Sequence, residues 1–309
     1  MRVIMFIFGG RKANLELALP YYARILADNP NVEVHLWDLA RDPADSAYMR
    51  TITGIDRLTV RTEFYDGTGK AMHGQNRVWR HYCGREYRDA LFCKGDDDDV
   101  FWQTDAFPAF MDAVDQNRDT ALSARVVNNG ACTFLEPELW QGFQSLRPVI
   151  PQDHHPDDET ASLLGVHRSA EYADLCHRWF FANWQTAIKR KPELVEPKSW
   201  MSINAIGFDW NMCRRITSLI GTRSPRNIFD RTFGSRGRVG DEGAVNLLPM
   251  RIYTGLTVAH LNFGPQIRQI DGQTWNEYRK NYADIARQYL STGAIGSASE
   301  AAEAVLVTP

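Results

Sequence analysis

Four consecutive aspartates, Asp96–Asp99, are the residues whose type and spacing most directly suggest chemistry in this chain of 309 residues. Carboxylates so close together repel one another, and at the end of a buried strand that repulsion is costly unless a cation lies there. The run follows the apolar stretch Ala90–Cys93, and open α/β sheets place ligands beyond the carboxyl ends of their strands. Mg²⁺ and Mn²⁺ prefer oxygen ligands and leave positions for phosphate oxygens. The run therefore predicts a divalent-cation site, with a solvated acidic turn or a calcium loop as the alternatives.

The elements that must position this run alternate between strand and helix. Apolar runs or alternating patterns predict strands at 3–8, 32–36, 58–64, 90–93 and 120–127. Helical spacing predicts helices at 15–26 and 107–114, the first of them starting late or kinked because of Pro20. Alternation of this kind over residues 1–130 indicates a parallel α/β layer.

The second half of the chain is less regular. Helices are predicted at 169–188, 241–248 and 273–290, strands at 200–208 and 257–261, and an Arg- and Gly-containing loop at 223–238. Since no repeat and no linker interrupt the sequence, we expect one domain over 1–309. Within this domain we expect a weakly marked boundary between 1–130 and 131–290, and a loosely held tail at 291–309.

Composition and charge exclude several classes of protein. Hydrophobic residues make up 44% and charged residues 24%, which is ordinary for a globular protein, and no apolar run is long enough to span a bilayer. The net charge of −3 gives no general attraction to nucleic acid or anionic membrane. Five widely spaced cysteines without a C-x-x-C pair argue against disulfides or a thiolate zinc site and indicate a reducing, cytoplasmic compartment. A dinucleotide-binding site that uses Asp38 would require the motif G-x-G-x-x-G in the first turn. The turn Gly9-Gly10-Arg11-Lys12 lacks this motif, which argues against such a site.

Residues 91–101 (LFCKGDDDDVF) resemble the D-x-D region of GT-A-fold nucleotide-sugar glycosyltransferases, where an acidic motif at a strand end binds the metal–diphosphate of a sugar nucleotide. Residues 120–128 (TALSARVVN) resemble the strand after the motif helix, and 240–243 (GDEG) resemble the late acidic motif that often supplies the base in inverting members. Residues 258–261 (VAHL) resemble the C-terminal segment whose histidine often completes the metal shell. The likeness covers residues 1–265 and is greatest to small transferases of phage and bacterial genomes.

The resemblance implies an α/β fold that is GT-A-like (Rossmann-like), with a mixed, mostly parallel sheet flanked by helices. It assigns 1–130 to the nucleotide sugar and 131–290 to the acceptor. It implies a site for Mn²⁺ or Mg²⁺ built from Asp97, Asp99 and His260, the Asp97/Asp99 register being preferred to Asp96/Asp98. The implied donor contacts are Asp97, Asp98, Arg77, Arg80, Phe8 and Gly9.

The catalytic base implied by the resemblance is Glu242 or Asp241, taking a proton from an acceptor hydroxyl with inversion. Acidic residues in a first helical turn also stabilise the helix dipole, which is the plain alternative. His260 alone in an apolar strand equally fits a hydrogen-bonded core residue. The 223–238 loop is either a lid over the donor or a solvated surface loop; its arginines are Arg223, Arg226, Arg231, Arg236 and Arg238.

Two other functions use the same residue types: a metal-dependent phosphohydrolase or nucleotidyltransferase, and a non-catalytic module whose acidic turn holds structural calcium. The acceptor stays open among a protein, a glycan and a modified DNA base, and a phage-encoded enzyme would act in the host cytoplasm. Residues 153–158 are interpreted either as a metal-binding loop or as an exposed loop. Trp200, Asn204 and Trp210 read as the floor of a sugar site or as core.

Overall fold

The computed structural model of the chain describes residues 1–68, 71–150, 165–223 and 238–292, with 71–73 described by their backbone alone. The predicted 153–158 loop, the arginines at 226, 231 and 236, and the part of the predicted tail from 293 onward lie outside the described residues.

Nine strands in the described residues form one sheet, in the order β3-β2-β1-β4-β8-β6-β9-β5, with β7 paired to β9. Their bounds are β1 Arg2–Gly9, β2 Val32–Asp38, β3 Leu58–Arg61, β4 Ala90–Asp96, β5 Asp99–Trp102, β6 Ala121–Val127, β7 Leu194–Val195, β8 Ile206–Asp209 and β9 Met250–His260. Strands β1, β2, β3, β4, β6 and β9 run in one direction, and β5, β7 and β8 run in the other. The prediction of a mixed, mostly parallel α/β sheet flanked by helices is confirmed.

Ten α-helices accompany the sheet within the described residues. They are α1 Lys12–Asp28, α2 Pro43–Met49, α3 Ala71–His81, α4 Phe107–Gln116, α5 Pro137–Leu146, α6 Ala170–Ala187, α7 Trp210–Leu219, α8 Asp241–Asn246, α9 Gly264–Ile267 and α10 Gly272–Thr292. In the described part of the chain, no helix is long and apolar enough to cross a membrane.

Helix α1 departs from the expectation, since it starts at Lys12 and continues through Pro20. Pro20 is itself buried together with Leu19 and Tyr21. Proline inside a helix is unfavourable by about 3 kcal/mol, so burial of this apolar face outweighs the lost hydrogen bond.

The core is built around β1, which is buried from Val3 to Gly9. Rings pack along it: Phe6 stacks on Tyr82 of the segment after α3 with centroids 4.6 Å apart, and Trp79 of α3 stacks on Phe208 of β8 at 5.3 Å. These aromatic contacts bring the basic stretch after residue 70, for which the sequence predicts no element, onto the sheet as α3.

Two strands of the second half have different bounds from those predicted. The 200–208 strand is reduced to β8: Ile206–Asp209 pair with β4, and Ile206 and Gly207 also pair with β6. The 257–261 strand is the end of a longer one, β9, whose register on β6 shifts between Ala124 and Arg125. That irregularity interrupts the alternation on which a sequence-based assignment depends.

Candidate active site

The acidic run forms a tight turn between two strands at the carboxyl edge of the sheet. Asp96 ends β4 and Asp99 begins β5, so Asp97 and Asp98 make the turn itself. The Asp97 amide donates to the Phe8 carbonyl of β1 at 3.1 Å, and the Leu261 amide after β9 donates to the Asp98 carbonyl at 2.7 Å. The turn is thereby fixed to strands from both halves of the chain.

Asp99 does not line the cleft that the other three aspartates line, and its Oδ1 has no hydrogen-bond partner among the described residues. It is 0% exposed, and its Oδ2 accepts a hydrogen bond from the Asp96 amide at 2.8 Å. Burial and the charges of Asp96 and Asp98 raise the pKa of Asp99 well above its ordinary value. Asp99 therefore acts as an internal cap of the turn, which departs from the Asp97/Asp99 register preferred from the sequence.

Asp98 is the aspartate that meets His260. Its Oδ2 lies 3.2 Å from His260 Nε2, and both side chains are buried. The pairing of Asp99 with His260 between β5 and β9 creates this approach. The contact is that of a hydrogen bond or ion pair. Adjacent ligands of an octahedral ion with bonds of about 2.1 Å lie about 3.0 Å apart, so the same two atoms also match the spacing of neighbouring ligands. The Nδ1 atom of His260 has no hydrogen-bond partner among the described residues.

The predicted three-ligand set of Asp97, Asp99 and His260 is not assembled. In the parts of the chain that the structure describes, no three His, Cys, Asp or Glu side chains converge as a metal site. Asp98 and His260 remain as a pair, and Mg²⁺ is commonly held by one or two protein ligands together with substrate phosphates. The pair fits a metal that binds with its substrate better than a metal caged by protein.

Arg11 is a site residue that the sequence reasoning missed. Its Nε donates to Asp97 Oδ1 at 2.9 Å, and its Nη2 lies 2.8 Å from Asp98 Oδ2. Burial by itself raises the pKa of Asp98, but Arg11 and His260 outweigh it, so the net pKa is well below the ordinary value. The available signal was position: Arg11 follows β1, whose carboxyl end lies at the same sheet edge as the end of β4.

Lys94 forms an ion pair with Asp96, the first aspartate of the run. Its Nζ donates to Asp96 Oδ2 at 2.5 Å and to the Ile203 carbonyl at 2.6 Å, and the side chain is 2% exposed. Burial raises the pKa of Asp96, although Lys94 pulls it down. Lys94 thus ties the acidic turn to the segment that precedes β8.

A cleft of about 400 Å³ opens over this turn. Of the predicted site residues it is lined by Phe8, Gly9, Asp97, Asp98, Glu242 and His260. Residues that were not assigned to the site and also line it include Arg11, Arg41, Gln75, Asp96, Asn262 and Phe263. A Cβ at Gly9 would lie 2.6 Å from Met49 Cε and 3.2 Å from the Trp37 carbonyl oxygen, so a side chain there would displace the end of the Met49 side chain.

The two candidate bases have different surroundings. Glu242, in the first turn of α8, lines the cleft, and the Trp200 indole donates to its Oε1. Asp241 accepts instead from Trp79 Nε1 at 3.3 Å and does not line the cleft. Glu242 is therefore the candidate base, and Asp241 is part of the contact between α3 and α8.

The predicted phosphate-binding arginines Arg77 and Arg80 are exposed on α3, and neither lines the cleft. Of the 223–238 loop, the structure describes Arg223 and Arg238, which form an isolated bridge. Trp210 lies away from the cleft and donates to the Gly84 carbonyl at 3.0 Å.

Buried polar residues support the segment after β9. Asn128, with a left-handed φ of 61°, donates to the His260 carbonyl at 3.3 Å and to Gln266 Oε1 at 3.1 Å. His177 Nε2 donates to the Leu261 carbonyl at 2.7 Å, and its Nδ1 accepts from the Tyr282 hydroxyl at 2.8 Å. Burial lowers the pKa of His177 to about 4, which keeps the ring neutral. Nothing in the local sequence around these residues predicts their partners.

A second cavity, of about 510 Å³, lies on another part of the surface between α1, α6 and the end of α10. Its carboxylate Asp105 already accepts a hydrogen bond from the Tyr289 hydroxyl. The cleft over the acidic turn, with its convergent charged groups, is the better candidate for chemistry.

No protein-family model and no curated protein matches the chain. Among solved structures, it resembles the 4-diphosphocytidyl-2C-methyl-D-erythritolsynthase of Anaerococcus prevotii with 8% sequence identity and a TM-score of 0.37. The alignment covers 91% of this chain and 95% of that one. A likeness at this level carries no conclusion about function.

Proposed function

We propose that the chain is a metal-dependent glycosyltransferase that moves a sugar from a nucleoside diphosphate to a hydroxyl acceptor with inversion. The observation that carries the proposal is the Asp98–His260 pair, 3.2 Å apart, in the same cleft as Glu242 at the carboxyl edge of a mostly parallel sheet. Ligands of open α/β sheets bind at this edge. The resemblance of the acidic run to the D-x-D region supports the same conclusion.

Asp98 and His260 are the residues that would hold Mn²⁺ or Mg²⁺. When bound, such an ion supplies positive charge to the diphosphate as it leaves. Asp96 and Asp97 lie beside the pair and are paired with Lys94 and Arg11 respectively, and Arg11 also contacts Asp98 Oδ2 at 2.8 Å. Asp98 is proposed as the ligand because it is the aspartate of the run that also contacts the His260 imidazole.

Glu242 is proposed to take the proton of the acceptor hydroxyl as that oxygen attacks the anomeric carbon of the donor sugar. A neutral hydroxyl is a weak nucleophile, and a positioned carboxylate raises its reactivity by removing the proton during attack. Hydrogen bonding from Trp200 fixes the orientation of the carboxylate. Phe8 and Gly9, which also line the cleft, are proposed to contact the nucleotide.

Nucleotidyl transfer is the second candidate, because Arg11 at the carboxyl end of β1 and the neighbouring carboxylates also suit a nucleoside triphosphate. The two reactions differ in what is released. Glycosyl transfer releases a nucleoside diphosphate, whereas nucleotidyl transfer releases pyrophosphate.

The deciding experiment incubates the protein and Mn²⁺ with a panel of nucleoside-diphosphate sugars, and separately with nucleoside triphosphates and sugar phosphates. We expect release of a nucleoside diphosphate and free sugar from one member of the first panel, with water taking the place of the acceptor hydroxyl. We expect Glu242→Gln to lower that turnover by about 10²–10⁴-fold, the usual contribution of a general base, and the neighbouring Asp241→Asn, as matched control, to retain it. Pyrophosphate release from the second panel, or full turnover in Glu242→Gln, would overturn the proposal.

A further inference from the structure

The side chain of Arg11 lies where the acidic turn needs a cation. One guanidinium contacts two adjacent carboxylates, with Nε 2.9 Å from Asp97 Oδ1 and Nη2 2.8 Å from Asp98 Oδ2. Its third nitrogen, Nη1, donates to Asn262 Oδ1 at 3.3 Å. Charge-assisted bonds of this kind are among the stronger hydrogen bonds in proteins, so Arg11 offsets much of the repulsion between the two aspartates.

Arg11 uses the oxygen that a divalent ion would also need. Asp98 Oδ2 is both the atom 2.8 Å from Arg11 and the atom 3.2 Å from His260 Nε2. A second cation placed between Asp98 and His260 would be repelled by the guanidinium at that distance. Binding of the ion and the present position of Arg11 are therefore mutually opposed.

The Arg11 side chain is the solvent-exposed member of this contact. Its side chain is 40% exposed, whereas the side chains of Asp97 and Asp98 are 4% and 8% exposed. The guanidinium thus covers the carboxylates from the side of the cleft. An arginine fork also matches the oxygens of a phosphate in geometry and charge.

We propose that Arg11 is an internal counter-ion of Asp97 and Asp98 that a divalent ion displaces, and that the released guanidinium then binds the diphosphate of the donor. This rests on the proposed function and adds a second partner for the donor phosphates. It predicts effects of opposite sign when Arg11 is replaced: the metal binds more tightly and the diphosphate binds more weakly. A guanidinium that kept its place would also repel the metal and attract the diphosphate through its charge, so the position of Arg11 in the Mn²⁺-bound protein decides between displacement and a fixed charge.

The test titrates Mn²⁺ alone, and then UDP at saturating Mn²⁺, into the wild type, Arg11→Gln and Lys12→Gln by calorimetry. Lys12→Gln is the matched control, since it removes the same charge from the next residue, which pairs with Glu16 at 3.6 Å outside the acidic turn. We expect the Kd for Mn²⁺ to fall by about tenfold or more in Arg11→Gln, because the competing conformation is removed. We expect the Kd for UDP to rise by about tenfold in Arg11→Gln, as two charge-assisted bonds are lost, with both constants unchanged in Lys12→Gln.

Two further measurements keep the proposal open to refutation if Arg11→Gln does not fold. Arg11→Lys, which keeps the charge but not the fork, is expected to have an intermediate affinity for Mn²⁺. A wild-type crystal soaked in Mn²⁺ is expected to show the guanidinium away from Asp98.

The outcomes separate this inference from the proposed function. Unchanged or weaker Mn²⁺ binding in Arg11→Gln, with a wild type that binds, overturns the role of Arg11 and leaves the metal site intact. Absence of Mn²⁺ binding in both proteins, without UDP and with it, overturns the metal-dependent function and the inference with it.

Discussion

The two halves of the sheet contribute to the cleft in different ways. Strands β1 to β4 are all parallel, and they deliver Arg11 and the acidic turn from chain segments that follow their carboxyl ends. Strands β8, β6, β9 and β5 are mixed in direction, with β6 and β9 parallel to each other, and His260 is the last residue of β9. In the first half, strands and helices follow one another regularly along the chain, so local sequence patterns predict them. The second half depends on pairings between residues that are far apart in the sequence. The candidate site exists only where the two halves meet.

The largest expected effect comes from breaking the contact between the halves at Asp98. We expect Asp98→Asn to lower metal-dependent turnover by about 10³-fold, since losing an ion's stabilisation of a leaving group removes several kcal/mol. Asp99→Asn is the matched control, because an amide oxygen can still accept from the Asp96 amide. Its turnover should stay within about tenfold of wild type, the equivalent of about 1.4 kcal/mol. The reverse result, an inactive Asp99→Asn and an active Asp98→Asn, would restore the register preferred from the sequence.

The second link between the halves is Lys94, which joins Asp96 to the Ile203 carbonyl. We expect Lys94→Met to lower the free energy of unfolding by about 3 kcal/mol, the lower end for breaking a buried ion pair, because the Asp96 carboxylate, which is 23% exposed, loses its partner. Urea titration measures the loss. Adding Asp96→Asn to the variant should recover part of it, and no recovery would show that packing rather than charge makes Lys94 necessary.

The smallest expected effect is a pH dependence that belongs to the second half. Burial holds the pKa of His177 at about 4, against an ordinary 6.5, so below pH 6.5 the unfolded chain binds a proton that the folded chain excludes. The free energy of unfolding should be flat above pH 6.5 and should fall as the pH drops to about 4, with a slope of about one proton from this residue. His177→Gln should remove the contribution of His177 to this slope. The contribution of His35, whose pKa burial also lowers to about 4, should remain. Urea titrations between pH 4 and pH 8 give both slopes, and an identical slope in the variant would contradict the assignment.

The sequence predicts much of the first half because its signals are local. The apolar run of β1 and the aspartates after β4 can be recognised without knowing what they contact. Arg11 was missed because its two partners lie 86 and 87 residues further along the chain (97 − 11 and 98 − 11), and only the parallel pairing of β1 with β4 brings them together.

The finer structure of the site could not be predicted because neighbouring residues of the same type have different surroundings. Asp98 and Asp99 are adjacent and chemically identical, yet one lines the cleft and the other caps the turn. Glu242 and Asp241 separate in the same way, one towards the cleft and one towards Trp79. Such choices follow from strand pairing and helix orientation, which no short motif contains.

The run of four aspartates has a consequence for mutagenesis. Deleting any one of them yields the same polypeptide, so a deletion scan of this segment produces a single protein and cannot tell the four apart. In that shortened chain, the backbone pairing of β5 with β9 selects which acid occupies the place beside His260. The loop length between the two strands is therefore as much a functional property as the presence of the acids.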